Sequence, residues 1–228
     1  MTAPLVVFDL DGTLIDTAPD LISSLNHTIA TAGLAPVSYS DLTHLVGHGG
    51  QVMIRRAFEL RGGRLADDEL PGMLEVFVEH YGQGMPGASA PYPGLVAALD
   101  RLQAAGFRLA VCTNKMEGLA RRLLDGLGLT KRFAAITGGD TFAVRKPDAA
   151  HLLETVRLAG GDPTRSVMIG DSLNDMLVAR NAGVPSIGVP FGYSDVAIAA
   201  LEPTHIIESF DELHPELVES LIARAAAA

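Results

Sequence analysis

A short apolar run that ends in carboxylates constrains this chain more than any other feature. Leu5 to Phe8 are four consecutive apolar residues, the pattern of a strand buried on both faces. Asp9, Leu10, Asp11, Gly12 and Thr13 follow at once. With the strand ending near Phe8, Asp9 and Asp11 fall in the loop at its carboxyl edge, where open parallel α/β sheets bind their ligands. Two neighbouring carboxylates repel each other, so a cation is needed to hold both ionised. Gly12 permits a sharp turn, and Thr13 offers a hydroxyl and a backbone N–H to an anion. The competing reading is a turn whose aspartates cap the next segment.

Beyond this loop the chain divides into two kinds of pattern. Thr17-Ala18-Pro19-Asp20 has capping-box spacing with proline in the first turn, and predicts a helix over 18–31 that stops at Gly33. Segments 40–46, 51–61 and 67–81 also read as helices, with glycine-rich breaks between them. Residues 82–93 are dense in Gly and Pro and read as a hinge or linker. Residues 15–86 therefore form a helical insertion, and residues 1–14 and 87–228 form the other unit. In that second unit helices over 94–104, 117–127, 149–159 and 175–182 alternate with strands over 108–112, 134–137, 166–169 and 186–189. An edge strand over 205–207 and a last helix from about 211 complete it. Such alternation means an α/β fold, a parallel sheet with helices on both faces.

Two later strands repeat the logic of the first. Ala110-Val111-Cys112 runs into Thr113-Asn114-Lys115, placing a hydroxyl and an amide at another carboxyl edge. Asn114 is read equally well as a cap of the following helix, with Glu117 three residues on. Cys112 reads as a small core residue, since nothing adjacent would make a thiolate. Val167-Met168-Ile169 runs into Gly170-Asp171-Ser172, with Asp175 beyond. Ser172 and Asp175 fit a capping box, which accounts for Asp175 but not for Asp171. Asp171 with Asp9 makes the carboxylate-rich oxygen site that magnesium prefers. Lys146, one of only three lysines, stands just before the helix start Pro147-Asp148. A cation there opposes the helix dipole, so either an anion compensates it or it is simply solvated.

Composition excludes several function classes. The 228 residues carry a net charge of −10 with only 17 Lys and Arg, so nucleic acid and acidic membrane surfaces are not expected partners. A small anionic substrate remains open, because a metal and one or two local cations dominate a site. No apolar run approaches the ~20 residues of a membrane span, and the start of the chain lacks the pattern of a signal peptide. One cysteine allows no internal disulfide, and the seven histidines show no zinc-ligand spacing. The expectation is a soluble cytoplasmic protein, monomer or homodimer.

Phe8-Asp9-Leu10-Asp11-Gly12-Thr13, Thr113, Lys146, and Gly170-Asp171-Ser172 with Asp175 resemble, in order, the four motifs of the haloacid dehalogenase-like superfamily. The resemblance covers essentially the whole chain. It implies a Rossmann-like parallel-sheet core with a small helical cap domain inserted after the first strand. It implies Asp9 as the nucleophile on phosphorus and Asp11 as general acid/base. Thr113 and Lys146 would hold the phosphoryl oxygens. Mg²⁺ would be held by Asp9, Asp171 and the Asp11 carbonyl, with Asp175 in support.

Within the superfamily the resemblance points to hydrolysis of phosphate monoesters. Dehalogenases and phosphonoacetaldehyde hydrolases lack an aspartate at the position of Asp11, and the latter use a cap lysine. No lysine precedes Lys115 here. Transport ATPases carry lysine where Leu10 stands. Phosphomutases of the β-phosphoglucomutase type remain an alternative, although they often have valine in place of Thr13; an inactive relative that binds a phosphorylated ligand is a further one. Thr113-Asn114-Lys115, Gly138-Gly139-Asp140 and Val46-Gly47-His48-Gly49-Gly50 are most similar to phosphoglycolate phosphatases. Many of these have a second proline after Lys146-Pro147, where this chain has Asp148-Ala149.

Substrate choice is expected from the cap. On a helix beginning near Gln51, residues Met53, Ile54, Ala57, Phe58 and Leu60 share a broad apolar face. Arg55 points away from it and pairs with Glu59. Arg56 flanks it, where its head reaches over a cleft. Arg56 and the N–H groups of Gly49-Gly50 are expected to read the carboxylate of 2-phosphoglycolate, with Thr13 and Asn114 as further substrate contacts.

Overall fold

The computed structural model describes residues 2–42 and 49–227. The cap stretch Val46 to His48 and most of the helix expected over 40–46 lie outside the described residues. The first strand, β1 (Leu5–Phe8), is wholly buried. It sits between β4 (Arg108–Cys112) and β6 (Ser166–Gly170) in a six-stranded sheet of order β5-β4-β1-β6-β7-β8. The remaining strands are β5 (Ala135–Thr137), β7 (Ser186–Gly188) and β8 (His205–Ile206), and all neighbours run parallel. Phe8 lies opposite both Val111 and Ile169. The three central strands therefore end level, and their next residues emerge on one edge.

Alternate side chains of a strand face opposite ways, which explains why the strands read as continuous apolar runs. Val6, Phe8, Val111, Val167 and Ile169 pack with α5 (Leu95–Ala104), α6 (Glu117–Gly126) and α9 (Pro215–Ala225). Leu5, Val7, Ala110, Cys112 and Met168 pack on the other face with α7 (Ala149–Leu158) and α8 (Leu173–Ala182). Burial pushes the Cys112 thiol up to about 12, as suits an inert core residue.

The helical cap is inserted after β1. It comprises α1 (Ala18–Ala30), α2 (Tyr39–Leu42), α3 (Gly50–Leu60) and α4 (Leu70–Gly84). Leu21, Leu25 and Ile29 of α1 meet Met53, Ile54, Ala57 and Phe58 of α3 and Phe77 and Tyr81 of α4 in a core of their own. The apolar face expected on α3 is the one buried.

Two local expectations are corrected at the junction. The stretch read as a plain linker contains β3 (Ala90–Pro91), paired antiparallel with β2 (Ile15–Asp16), so the two chain crossings into the cap form a short ribbon. The Thr17–Asp20 capping box does not form. Thr17 Oγ1 donates to Asp11 Oδ1 at 2.7 Å, and Asp20 accepts from Ala88 N (2.9 Å) and Ser89 N (2.7 Å). Tertiary donors and acceptors that local spacing cannot anticipate have taken both side chains.

Candidate active site

The strand ends assemble a buried, charged cluster. Asp9 keeps its N–H in the ladder, donating to Ile169 O at 2.9 Å. The chain then folds back, with Gly12 N donating to Ile15 O. Gly12 has φ +82°, and a Cβ there would lie 2.6 Å from Asp171 Oδ2, so only glycine fits the turn. Lys146 reaches in with a side chain 2% exposed, its Nζ 2.8 Å from Asp9 Oδ1 and 2.6 Å from Asp175 Oδ1. The other oxygen of Asp175 accepts from Ser172 N (3.0 Å) and Ser172 Oγ (2.6 Å). Asp175 thus anchors the start of α8 and holds Lys146 at once. Asp171 accepts from Thr13 Oγ1 and from Tyr193 N, both at 2.8 Å.

Asp9, Asp171 and Asp175 each present an oxygen within 4.8 Å of the others. Burial, reinforced by Asp175, pushes Asp9 up to about 6 against the pull of Lys146. Burial, Asp175 and Asp9 push Asp171 up to about 8. Burial disfavours the charge on Lys146 too, but Asp175 and Asp9 outweigh it and hold the ammonium well above its ordinary value. Three carboxylates against one ammonium leave surplus negative charge in a buried place. Asp9 Oδ1 makes no aligned hydrogen bond among the described residues, despite its ion pair. Hard oxygen donors with unspent capacity and excess negative charge fit a divalent metal of the magnesium class.

Thr113 stands beside this cluster, its N–H on Thr137 O at 3.1 Å and its Oγ1 accepting from Lys115 N at 3.2 Å. Asn114 does not cap α6. Its Nδ2 donates to Lys146 O at 3.1 Å, while the first N–H of α6, on Glu117, is taken by Asp140 at 2.7 Å. Asn114 therefore fixes the backbone that carries Lys146. His151 does the same from behind, its Nδ1 accepting from Lys146 N at 3.0 Å. Burial and the Lys146 charge pull this imidazole down to about 4, so it stays neutral and able to accept. Nothing in the local sequence marks His151.

Lys115 is the larger omission of the sequence reading. Its Nζ donates to Asp11 Oδ1 (2.9 Å), Asp11 Oδ2 (3.1 Å) and the Tyr81 hydroxyl of the cap (2.8 Å). Burial opposes its charge, yet Asp11 and Tyr81 hold the ammonium above its ordinary value. The available signal was the scarcity of lysine in the chain.

Between cap and core lies a cavity of about 280 Å³, lined by Gly49, Gly50, Phe77, Tyr81, Asp11 and Lys115 among others. Two expected substrate contacts are placed elsewhere. Thr13 is fully buried and spends its hydroxyl on Asp171. Arg56 is absent from the cavity wall and half-exposed, pairing with Glu59 at 3.0 Å, while Arg55 pairs with Asp67 at 2.7 Å. Burial of Met53, Ile54, Ala57 and Phe58 fixes the rotation of α3. At 3.6 residues per turn that leaves 55, 56 and 59 pointing outward, and only the first turn of α3 reaches the cavity.

Comparisons with known proteins give the chain a family. The family described as haloacid dehalogenase-like hydrolase matches residues 6–189. A phosphoglycolate phosphatase of Agrobacterium fabrum is 61% identical over 99% of this chain and 97% of its own. One of Mesorhizobium japonicum is 50% identical over 99% of both chains. The crystal structure of a predicted phosphoglycolate phosphatase from Haemophilus somnus superposes with a TM-score of 0.86 at 30% identity, over 93% of this chain and 97% of that one. That of CbbY from Rhodobacter sphaeroides, in complex with xylulose-1,5-bisphosphate, does so with a TM-score of 0.77 at 27% identity, over 93% and 96%. The chain belongs to the haloacid dehalogenase-like hydrolases, as a phosphatase similar to phosphoglycolate phosphatases.

Proposed function

We propose that the chain hydrolyses 2-phosphoglycolate with Mg²⁺, through a covalent phosphoaspartyl intermediate on Asp9. The observation that carries the chemistry is the convergence of Asp9, Asp11, Thr113, Lys146 and Asp171 on one sheet edge. The names of the relatives support the choice of ester. Residues 1–14 and 87–228 act as the core and 15–86 as the cap, in a cytoplasmic monomer or homodimer.

Phosphoryl transfer demands in-line attack and compensation of charge on the phosphoryl oxygens. The Asp9 carboxylate forms a bond to phosphorus as the bond to the ester oxygen breaks. Asp11, once it has left Lys115 and taken up a proton from water, gives that proton to the ester oxygen, then takes one from the water that cleaves the acyl phosphate. Thr113 and Lys146 bind the phosphoryl oxygens, with Asn114 and His151 holding Lys146 in place. Asp9, Asp171, Asp175 and the Asp11 carbonyl would hold Mg²⁺, which supplies charge neutralisation for an anionic nucleophile meeting an anionic ester.

The test is a panel of small phosphorylated metabolites ranked by kcat/KM with Mg²⁺ and no bisphosphate activator. 2-Phosphoglycolate is expected at the top. Turnover that needs a bisphosphate would mean a mutase instead, and a different ester leading by more than tenfold would replace the substrate.

A further inference from the structure

Lys115 stands where the chemistry of the core meets the cap. It follows Thr113 by two residues, yet its ammonium faces the cavity beneath α4. Its side chain is 6% exposed. The ammonium covers both oxygens of Asp11, at 2.9 and 3.1 Å, is bonded to the Tyr81 hydroxyl at 2.8 Å, and lies 4.4 Å from the centre of the Tyr81 ring. Arg145 also lines the cavity; of these two cations, Lys115 is the one bonded to Asp11. The cavity is otherwise largely apolar, walled by Leu21, Met53, Leu74 and Phe77.

In the mechanism proposed above, Asp11 meets the ester oxygen. A group bonded to Asp11 therefore sits beside that oxygen. In 2-phosphoglycolate the carboxyl carbon is two bonds from the ester oxygen, so the substrate carboxylate arrives next to the ammonium. An ammonium has three protons to place and no acceptor capacity, and an oriented carboxylate replaces Asp11 as its partner without loss of a charged hydrogen bond.

We propose that Lys115, backed by the Tyr81 hydroxyl, is the specificity-determining residue, exchanging Asp11 for the acidic end of the leaving group as the ester enters. The exchange binds the correct substrate and uncovers the Asp11 oxygens in one movement, leaving them free to take up from water the proton that goes to the leaving oxygen. An ester with a neutral leaving group offers Lys115 no new partner and meets an Asp11 that is still covered. Discrimination then appears in kcat as well as in KM. The inference rests on the phosphoglycolate reading given under Proposed function.

The experiment compares 2-phosphoglycolate with its neutral isostere, the phosphate ester of glycolamide, by kcat and KM. Wild type, Lys115→Gln, Lys115→Arg, Tyr81→Phe and Arg145→Ala are measured, each checked for native melting. Wild type is expected to prefer the acid. Lys115→Gln should cut that preference roughly 10- to 100-fold, Lys115→Arg should retain more of it than Gln does, and Tyr81→Phe should cut it several-fold. A wild-type preference that survives in Lys115→Gln, or that collapses in Arg145→Ala instead, overturns the assignment to Lys115. If the Gln variant fails to fold, an unchanged preference in both Lys115→Arg and Tyr81→Phe overturns it equally. A wild type that hydrolyses other small esters but is indifferent to the carboxylate overturns the substrate reading instead.

Discussion

The sheet edge and the cap cavity meet at Asp11 but are built on different principles. At the edge, charged groups are held by other charged groups and by main-chain atoms. Lys146 lies between Asp9 and Asp175, and Asp171 is gripped by Thr13 and the Tyr193 N–H. Asp9 and Asp171 directly follow neighbouring parallel strands, so their spacing is set by the sheet. Across the cavity the walls are apolar and the polar groups few, and Lys115 with Tyr81 bridges the two sides. On the function proposed above, the edge serves one chemistry on any phosphoryl group, whereas the cap side sorts leaving groups. Fixed charges in a buried frame stabilise a transition state at no cost of reorganisation. A long side chain on a loop, such as Lys115, can exchange partners.

The largest effect should come from breaking the edge. Asp9→Asn is expected to lower kcat by at least about 10⁴-fold, in line with the loss of a nucleophile. The loss should be the same for every ester, because the cap plays no part in it. Fold should be kept, since one repelling carboxylate is removed from a buried cluster. Steady-state turnover of purified Asp9→Asn within a hundredfold of wild type would remove Asp9 from that role.

A second measurement isolates the edge through its protons. Asp9 and Asp171 are raised from an ordinary 3.8 to about 6 and about 8 by burial and by the neighbouring Asp175 carboxylate. A raised carboxylate contributes stability below pH 3.8 that is lost as pH rises through the folded value, so the metal-free cluster weakens the fold progressively up to about pH 8. A divalent cation must displace these protons at low pH but meets ready carboxylates at high pH. The rise in Tm on replacing EDTA by Mg²⁺ should therefore be larger at pH 8 than at pH 5.5. His151, held neutral at both pH values by burial and the Lys146 charge, cancels in that difference. Equal shifts at the two pH values would break the link between the acidic cluster and the metal.

The smallest effect is expected on the outer face of the cap. Arg56 is half-exposed and bound to Glu59, and such surface pairs contribute about 0–1 kcal/mol. Arg56→Ala should change kcat/KM for 2-phosphoglycolate less than about twofold and leave Tm nearly unmoved. A tenfold drop specific to that substrate would return the cap arginine to the site and blur the division between sheet edge and cap.

The amino-acid sequence by itself determined the architecture and the edge. Burial on both faces makes a parallel strand read as an unbroken apolar run, and helix spacing is equally local. Leu5–Phe8, Ala110–Cys112 and Val167–Ile169 could therefore be recognised as strands, and Asp9, Thr113 and Asp171 placed at their carboxyl ends. Ser172 and Asp175 were legible for the same reason, as a cap three residues long. The tertiary structure alone decided which partner each side chain takes. Asp20 left its own helix start for Ser89, Thr13 turned to Asp171, and Asn114 to the carbonyl of Lys146. Arg56 faces outward because four buried neighbours fixed the rotation of α3. Lys115 meets Asp11 across 104 residues and Tyr81 across 34. Secondary structure is governed by neighbours a few residues away, but these contacts exist only where loops and helices from distant parts of the chain have come together, and no local pattern records that packing.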